Sequence, residues 1–317
     1  MDALSDVLRT THLMGGVFLH AELTAPWCVE SKVSPENCAP FLGRTTDVIP
    51  YHYVLEGCLR VEVDGADPID LGADQVVLFP RNDSHLMGSD LRLPPVQGDH
   101  VVKPPSNGGL ATIRLGGGGA RTCLVCGFLA GEDFDRNPII STLPPLLHLD
   151  VKEGNAADWI RSTFNYAAQE IAAGRAGSET VMAKLSELLF VEAVRRYVET
   201  LPEQHTGWLA GLKDPYVARA LAILHARLKE SWTVEQLGKE VGLSRSALAE
   251  RFTQVIGLPP MQYLTQWRLQ VAAQELRNSS KSIMQVAEGV GYESEAAFSR
   301  AFKRAHGAPP AGWRKRN

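Results

Sequence analysis

The stretch "SIMQVAEGVGYESEAAFSRAFKRAHGAPP", residues 282–310, decides how the C-terminal third of this chain folds. A similar stretch, "TVEQLGKEVGLSRSALAERFTQVIGLPP", already occupies residues 233–260. The two copies close with the same pattern, Gly-x-Pro-Pro. A repeat of this kind predicts that the chain uses one supersecondary unit twice.

Each copy predicts two helices separated by a tight turn. Residues 233–236 and 282–285 are capping-box patterns, Thr-x-x-Gln and Ser-x-x-Gln, whose side chains satisfy free backbone N–H groups at a helix start. Apolar residues follow at helical spacing, and each run stops at a glycine, Gly242 or Gly291. The second helix of each copy ends at Gly-x-Pro-Pro, because proline cannot continue a helix. The predicted inward pairs on these second helices are Leu248 with Phe252 and Phe298 with Phe302.

Two helices joined by a tight, glycine-containing turn form a helix-turn-helix unit, whose second helix enters the major groove of DNA. The alternative is a generic pair of helical hairpins, which the matching caps, glycines and inner-face pairs disfavour. The segment between the copies, residues 261–280, predicts one helix that holds the two units apart. Its predicted buried positions are Tyr263, Leu264, Trp267, Val271 and Leu276.

Outward positions near the start of each second helix predict the residues that read base pairs. These candidates are Arg245, Ser246, Ala249 and Glu250 in the first unit and Glu295, Ser299 and Arg300 in the second. Arg300 is the strongest candidate, because a guanidinium can donate to both acceptors on the major-groove edge of guanine. Two interpretations of Glu250 stay open: it accepts from cytosine N4, or it pairs with a neighbouring arginine and reads nothing.

Three cations are predicted to contact DNA phosphates: Lys239, Lys303 and Arg304. The alternative for each of them is an ordinary solvated charge. Residues 214–317 contain 15 Lys and Arg against 9 Asp and Glu, whereas the rest of the chain contains 17 against 27. A basic segment on an acidic body indicates that only this end meets a polyanion.

Residues from about 214 to 313 resemble the DNA-binding domain of the AraC/XylS family of transcription regulators. The resemblance rests on "SRSALAERF" at 244–252, "PPMQYLTQWRLQ" at 259–270, residues 286–310 and the closing Trp313-Arg314. It implies double-stranded promoter DNA as the main partner and RNA polymerase as a further one. The family's base-reading positions fall on Ser246, Ala249, Glu250, Glu295 and Arg300.

Bulk composition is that of a soluble globular protein, with 44% hydrophobic and 21% charged residues in 317, enough for two domains. The chain has no run of about 18 apolar residues and no basic start followed by an apolar core. We therefore predict a cytoplasmic protein without a membrane partner. Five scattered cysteines, Cys28, Cys38, Cys58, Cys123 and Cys126, form no disulfide framework.

The N-terminal part changes to alternating, β-rich sequence between about residues 48 and 87, which predicts a barrel or jelly roll. "YVLEG" at 53–57 and "LGADQVVLFPRNDSH" at 71–85 resemble the cupin barrel of one AraC-type subgroup. The predicted fold is multidomain α+β. An all-β cupin-like sensor domain spans residues 1–150, a helical hairpin 151–205, and an all-α DNA-binding domain with two helix-turn-helix units 214–317.

Many cupins bind a metal through histidines and a carboxylate, and the resemblance implies where such ligands would lie. The motif Pro-x-Gly-x-x-His appears as "PRNDSH", which keeps His85 and replaces the glycine with Asn82. The degraded first motif leaves His52 as the inward histidine. Two histidines are fewer than the three protein ligands of a catalytic metal site, so a metal-free sensing barrel is favoured over a zinc site at His52 and His85. A cysteine thiolate is the candidate for a third ligand.

Cys123 and Cys126 suggest redox sensing as a further alternative. A thiolate near His52 or His85 would have a lowered pKa and oxidise readily, and some relatives in this cupin subgroup respond to oxidants through cysteines. Residues three apart on a strand point to opposite faces, so the two thiols cannot easily bind one ion. The predicted effector pocket consists of His52, His85 and Cys126, and Cys126 is expected to share a strand face with Leu124 and Phe128. For the two cysteines, packing as small apolar residues is the other interpretation.

The hairpin at 151–205 offers an apolar second helix with more than one apolar face, which predicts a homodimer or packing within the chain. A sequence-specific transcription regulator that responds to a small effector, metal or oxidant is the predicted function. The rival is a metal-dependent cupin enzyme with an accessory helical domain. Three inward-facing ligands around one metal would favour the enzyme.

Overall fold

The computed structural model describes residues 2–11, 13–34, 47–103, 111–151, 177–202 and 204–316, together with residues 162 and 166. The chain forms two compact units, Thr11–Glu199 and a second unit that combines Met1–Thr10 with Thr200–Asn317. Cys38 and most of the first arm of the predicted hairpin lie outside the described residues. In the described part of the chain, no helix is long and apolar enough to cross a membrane.

The unit Thr11–Glu199 is built mainly from two β-sheets, as predicted for a cupin-like domain. The first sheet has the order β11-β6-β3-β10-β1-β9 and the second β5-β4-β7-β2-β8. The strands are β1 (Met14–Thr24), β2 (Cys28–Ser31), β3 (Asp47–Glu56), β4 (Cys58–Val63), β5 (Ile69–Gly72), β6 (Gln75–Leu78), β7 (His85–Gly88), β8 (Val96–Gln97), β9 (Ala111–Gly116), β10 (Arg121–Gly131) and β11 (Leu147–Asp150).

The core of this unit lies between the sheets, because buried residues from both form one apolar cluster. In β4, buried residues alternate with exposed ones, as expected for a strand with one face on a core. The predicted Glu-Gly turn before β4 is present. Gly57 has φ +82°, and a Cβ there would collide with the carbonyl oxygen of Arg121, so this turn requires glycine.

Helix α3 (Ser178–Thr200), the predicted second arm of the hairpin, packs on the first sheet. The hydroxyl groups of Ser186 and Tyr51 lie 2.7 Å apart and are buried, and Arg196 donates to the carbonyl of Asp150 at 2.6 Å. Leu185 and Leu189 are buried, whereas Leu188 is 46% exposed. One apolar face of α3 is therefore covered and another is not.

The second unit is helical. Its helices are α1 (Ala3–Thr11), α4 (Trp208–Gly211), α5 (Pro215–Ala226), α6 (Val234–Val241), α7 (Arg245–Ile256), α8 (Pro260–Asn278), α9 (Ile283–Gly289), α10 (Glu295–His306) and α11 (Pro310–Arg316). A short helix α2 (Gly98–Val101) belongs to the sheet unit. Helices α6 and α7 form the first predicted helix-turn-helix unit, α9 and α10 form the second, and α8 is the single helix predicted between them.

Local signals determine where these helices begin and end. Both predicted capping boxes form, with Thr233 and Ser282 as the N-cap residues. Gly242 ends α6 with φ +86°, and Gly291, with φ +82°, follows directly after Val290 at the end of α9. Of the α8 residues predicted to be available for burial, Val271 is half-buried and packs at the edge of the core; Leu269, Ala272 and Ala273, which were not predicted, are buried.

Candidate nucleic-acid interface and barrel cavity

Helix α7 of the first unit presents a polar face that starts at its first turn. The Ser244 hydroxyl caps the helix by accepting from the backbone N–H of Ala247 at 3.2 Å. Leu248 and Phe252 are completely buried, which turns the opposite face of α7 outward. Ser246 and Glu250 on that face are exposed, as is Arg245 in the first turn, and Ala249 is half-buried.

Helix α10 of the second unit repeats this arrangement with different charges. Ser294 caps it by accepting from the backbone N–H of Ala297 at 3.4 Å, and Phe298 and Phe302 are completely buried. Glu295 and Arg300 are exposed and Ser299 is half-buried. The candidate base-reading residues of each unit therefore lie together in the first two turns of one helix, and each of them is exposed or half-buried.

The three candidate phosphate contacts differ in their surroundings. Lys239 is exposed and forms an ion pair with Glu235, one turn earlier on α6, at 2.8 Å. Lys303 and Arg304 are exposed on α10, and no ion-pair partner lies within 4 Å of either among the described residues. The two cations of the second unit are therefore free of carboxylates, whereas Lys239 is already paired.

Between the two sheets lies a mainly apolar cavity. The volume of this cavity is about 70 Å³, whereas a single water molecule needs about 10–15 Å³. The cavity therefore has room for a small ring compound. Its apolar wall includes Leu19, Leu23, Val29, Met87, Ile113 and Leu124, and its polar wall includes His52 and Cys126.

Strand pairing brings the predicted pocket residues together. In the register of β3 with β10, His52 lies opposite Cys126, and the His52 Nδ1 atom is 2.9 Å from the Cys126 sulfur. His52 Nε2 lies 2.9 Å from His85 Nε2, and His85 stacks on Phe79 with ring centroids 3.6 Å apart. Phe128, expected in the same pocket, packs instead with Val33, Val48 and Ala130, because β10 extends beyond the cavity.

His52, His85 and Cys126 form a cluster whose hydrogen bonds all run in one direction, from the Cys126 thiol to the carbonyl oxygen of Asp83. His85 Nδ1 lies 3.0 Å from the carbonyl oxygen of Asp83, which can only accept, so Nδ1 carries the proton. In a neutral ring the Nε2 atom of His85 then accepts from the Nε2–H of His52. His52 Nδ1 is left as an acceptor, so the Cys126 thiol donates to it. Every donor of this cluster is used within the cluster.

Burial keeps these groups uncharged. Desolvation lowers the pKa of His52 well below its ordinary value, with the neighbouring His85 adding to the effect, and lowers the pKa of His85 to about 4. Burial also raises the pKa of the Cys126 thiol to about 12. The expectation of a histidine-activated thiolate is therefore wrong, because a neutral imidazole supplies no positive charge to stabilise it.

Cys123 does not share the environment of Cys126. It lies opposite Glu56 in the β3–β10 register, and burial raises its thiol pKa, with Arg121 opposing this effect. Of the other described cysteines, Cys28 is buried and Cys58 is exposed. Structurally, neither candidate redox cysteine has the low pKa typical of a reactive thiol.

The cluster does not fit zinc. Cys126 contacts one ring nitrogen of His52 and His85 contacts the other, on the far side of the ring, whereas zinc ligands must all lie within about 2.0–2.3 Å of one point. In the part of the chain that the structure describes, no group of three or more His, Cys, Asp or Glu side chains could hold a metal ion. The described residues therefore lack the three inward-facing ligands around one metal that would favour a metal-dependent enzyme.

Sequence reasoning missed one buried polar group in this domain. Trp27 follows β1, lines the cavity and is only 2% exposed. Its indole Nε1–H is buried and has no hydrogen-bond partner in the described structure. No sequence signal could have identified this group, because an unsatisfied donor is recognised only when its surroundings are known.

Comparison with known proteins places both units in families. The model of the family described as "Cupin" matches residues 2–199, and that of the family described as "Helix-turn-helix domain" matches residues 237–316. A putative AraC-like transcription regulator of Streptomyces lividans is 35% identical over 271 residues, 84% of this chain and 87% of the relative. One of Streptomyces antibioticus is 34% identical over 320 residues, 99% of each chain.

A third relative extends the match to a named regulator. The HTH-type transcriptional regulator AlkR of Acinetobacter baylyi is 27% identical over 321 residues, which cover both chains completely. Two matched families and full-length similarity agree with the paired helix-turn-helix units and the two-sheet domain described above. This chain therefore belongs to the AraC-like transcription regulators, and it is a DNA-binding regulator with an N-terminal cupin domain rather than an enzyme.

Proposed function

We propose that this regulator reads its promoter with the exposed faces of α7 and α10, and that a small organic effector in the barrel cavity controls it. The observation that carries the effector proposal is the cavity itself, which is apolar on most of its wall and whose buried polar side chains, His52 and Cys126, are uncharged. Ligand sites of proteins are usually of this kind, apolar with a few polar groups that orient the ligand.

For DNA recognition, we assign base contacts to the exposed residues at the start of each recognition helix. Helix-turn-helix proteins place this part of the second helix against base edges. The proposed base-reading residues are Arg245, Ser246, Ala249 and Glu250 on α7 and Glu295, Ser299 and Arg300 on α10. Lys239, Lys303 and Arg304 are the proposed phosphate contacts, since all three are exposed cations beside these faces.

An organic effector is favoured over an oxidant or a metal. The Cys126 thiol is buried and held in its protonated form, which opposes oxidation through a thiolate. The donor atoms of His52, His85 and Cys126 do not converge on one point, which opposes a metal. An organic molecule that fills the cavity needs neither an ionised thiol nor a set of converging metal ligands.

We further propose that the regulator forms a homodimer through α3. Val181 and Leu188 on this helix are 38% and 46% exposed, although the same helix buries Leu185 and Leu189. Contacts of a second copy would remove these side chains from water, which is favourable in proportion to the apolar area buried. The proposal of RNA polymerase as a further partner rests on family membership alone.

Ala21 lines the cavity and is 2% exposed, so a larger side chain there would fill it. The deciding experiment compares the wild-type full-length chain with the variant Ala21→Leu. Genomic fragments bound by purified protein are sequenced to find the operator, and transcription from that promoter is measured in cells that carry either protein. We expect both proteins to bind the operator equally and only the wild type to change its output when growth conditions change. Ala21→Val is the milder control. If Ala21→Leu folds and responds like the wild type, the cavity is not the effector site.

A further inference from the structure

The connector, residues 227–233, joins α5 to α6 and leads into the first helix-turn-helix unit. Arg227 attaches the connector to α6, because its guanidinium donates to the Glu240 carboxylate of that helix at 2.8 Å. Arg227 also donates to Glu230 within the connector at 2.7 and 2.8 Å, and it lies over the ring of Trp232 at 4.4 Å. The connector is therefore held to the first helix-turn-helix unit.

The connector also contacts the second helix-turn-helix unit. Leu228 packs against the apolar cluster that contains Phe298 and Phe302 of α10. The carbonyl oxygen of Lys229 lies close to Gly291, the glycine that follows α9, because a Cβ added to this glycine would be 2.7 Å from that oxygen. One short segment thus touches both units.

Arg268 of α8 joins these contacts. Its Nε–H donates to the carbonyl oxygen of Leu228 at 2.9 Å, and its Nη2 atom donates to that of Glu230 at 2.7 Å. A Cβ added to Gly291 would be 2.7 Å from the same Nη2 atom, so the guanidinium also borders the turn of the second unit. Because a guanidinium presents its donors in a rigid planar fork, two such bonds fix the connector relative to α8.

We propose that Arg268 is a positioning residue for DNA recognition, which fixes the first helix-turn-helix unit relative to the second. As a result, α7 and α10 reach their two sub-sites on the DNA at one spacing only. This inference rests on the proposed reading of DNA by both helices. Helices that enter successive major grooves must lie about 34 Å apart, and a rigid link lets the second helix bind at a high effective concentration once the first is bound.

Arg314 of α11 provides a matched control, because it makes the same kind of bond pair without contacting the connector carbonyls. Its Nε–H donates to the carbonyl oxygen of Leu276 at 3.2 Å, and its Nη2 atom donates to that of Lys281 at 2.6 Å. Arg314→Met and Arg268→Met each remove one positive charge and two hydrogen bonds to carbonyl oxygens. Only Arg268→Met releases the connector.

The experiment measures the affinity of the full-length chain for matched DNA duplexes by fluorescence anisotropy. The operator is found by sequencing genomic fragments that the protein binds, and base substitutions at each position locate the two sub-sites that one chain reads. The duplexes are the intact pair of sub-sites, the pair with either sub-site scrambled, and the pair with one base pair inserted between them. The insertion rotates one sub-site by about 35° relative to the other.

Arg268→Met should weaken binding to the intact pair by about fivefold to tenfold and binding to each scrambled duplex by less than about twofold, since it affects only the link between the units. The inserted base pair should weaken binding of the wild type more than binding of Arg268→Met. Arg268→Lys keeps the charge and can donate to one carbonyl, so it should restore part of the loss. Arg314→Met should leave the ratio of intact to scrambled affinity unchanged.

Three outcomes would overturn the inference. An equal loss for Arg268→Met on intact and scrambled duplexes would show that Arg268 supports the fold or attracts DNA by its charge. The other two are an unchanged affinity of Arg268→Met for the intact pair and an equal change of the affinity ratio in Arg314→Met.

The wild type distinguishes failure of this inference from failure of the proposed function. Wild-type binding that ignores the scrambling of one sub-site would refute the proposed reading by both helices, and this inference with it. Wild-type binding that needs both sub-sites, together with unaltered binding by Arg268→Met, would refute the positioning role alone.

Discussion

The two helix-turn-helix units share one scaffold and differ in the charges they present to DNA. When their second helices are aligned from the N-cap serines Ser244 and Ser294, Glu250 corresponds to Arg300. Thr253 in the first unit likewise corresponds to Lys303 in the second. The residues that form the scaffold are thus repeated, whereas the outward residues are not.

Two of the three cations on α6 and α7 are engaged by carboxylates within the protein, and Arg245 is not. Arg251 donates to Asp214 at 2.7 Å, and Lys239 pairs with Glu235 at 2.8 Å. On α10, Arg300, Lys303 and Arg304 have no carboxylate three or four residues earlier, and none has an ion-pair partner among the described residues. We therefore propose that the second unit supplies more of the electrostatic attraction to DNA than the first unit.

The largest expected effect of a single substitution is that of Arg300→Ala. Loss of a bidentate contact to guanine should weaken binding to the operator by about 1–3 kcal/mol and relax the preference at one base pair. Fluorescence anisotropy with operator duplexes that vary at each position measures both effects. Arg300→Lys is the control, since it keeps the charge and loses the planar fork. A uniform loss on every duplex would show that Arg300 contacts only phosphate.

Lys303→Ala should have the next largest effect, and it should be independent of sequence. Removing one phosphate contact should lower the slope of log affinity against log salt by about 1 and weaken operator and random duplexes alike. Thr253→Ala at the corresponding position of the first unit should leave the salt slope unchanged. Equal slopes for wild type and Lys303→Ala would mean that Lys303 does not contact DNA.

Glu235→Gln should make the first unit more like the second. It removes the ion-pair partner of Lys239, so that Lys239 becomes free to contact phosphate. Exposed ion pairs of this kind contribute little stability, so losing this one should not destabilise the protein. We expect an increase in affinity below about threefold, with a steeper salt dependence. In the double variant with Lys239→Ala the gain should disappear; its persistence would point to simple loss of negative charge.

Glu250→Gln should have the smallest effect and decides between the two interpretations of this residue. Glu250 is exposed and has no ion pair in the described structure, so pairing with an arginine is not supported. If it reads no base, removing its charge should raise affinity by about twofold on all duplexes, because repulsion from phosphate falls. A selective loss at one C·G pair would instead identify Glu250 as a cytosine contact.

The DNA-binding unit was predictable from the sequence because short-range interactions determine it. A capping box spans four residues, a helix-ending glycine acts on its own turn, and apolar pairs such as Phe298 and Phe302 lie one turn apart. The repeat doubled each of these signals. Prediction was weaker where α8 packs against several helices at once, which is why the burial of Leu269, Ala272 and Ala273 was not predicted.

The arrangement and charge state of the residues around the barrel cavity depend on tertiary structure and could not be predicted from the sequence. Strand register, and not any local pattern, places Cys126 opposite His52 and brings His85 against the same ring. The sequence indicated which histidines and cysteines were candidates, but it could not show that burial keeps them neutral, because desolvation depends on every neighbour in space. The unpartnered Trp27 donor is likewise a property of the folded domain, since only packing separates an indole N–H from water.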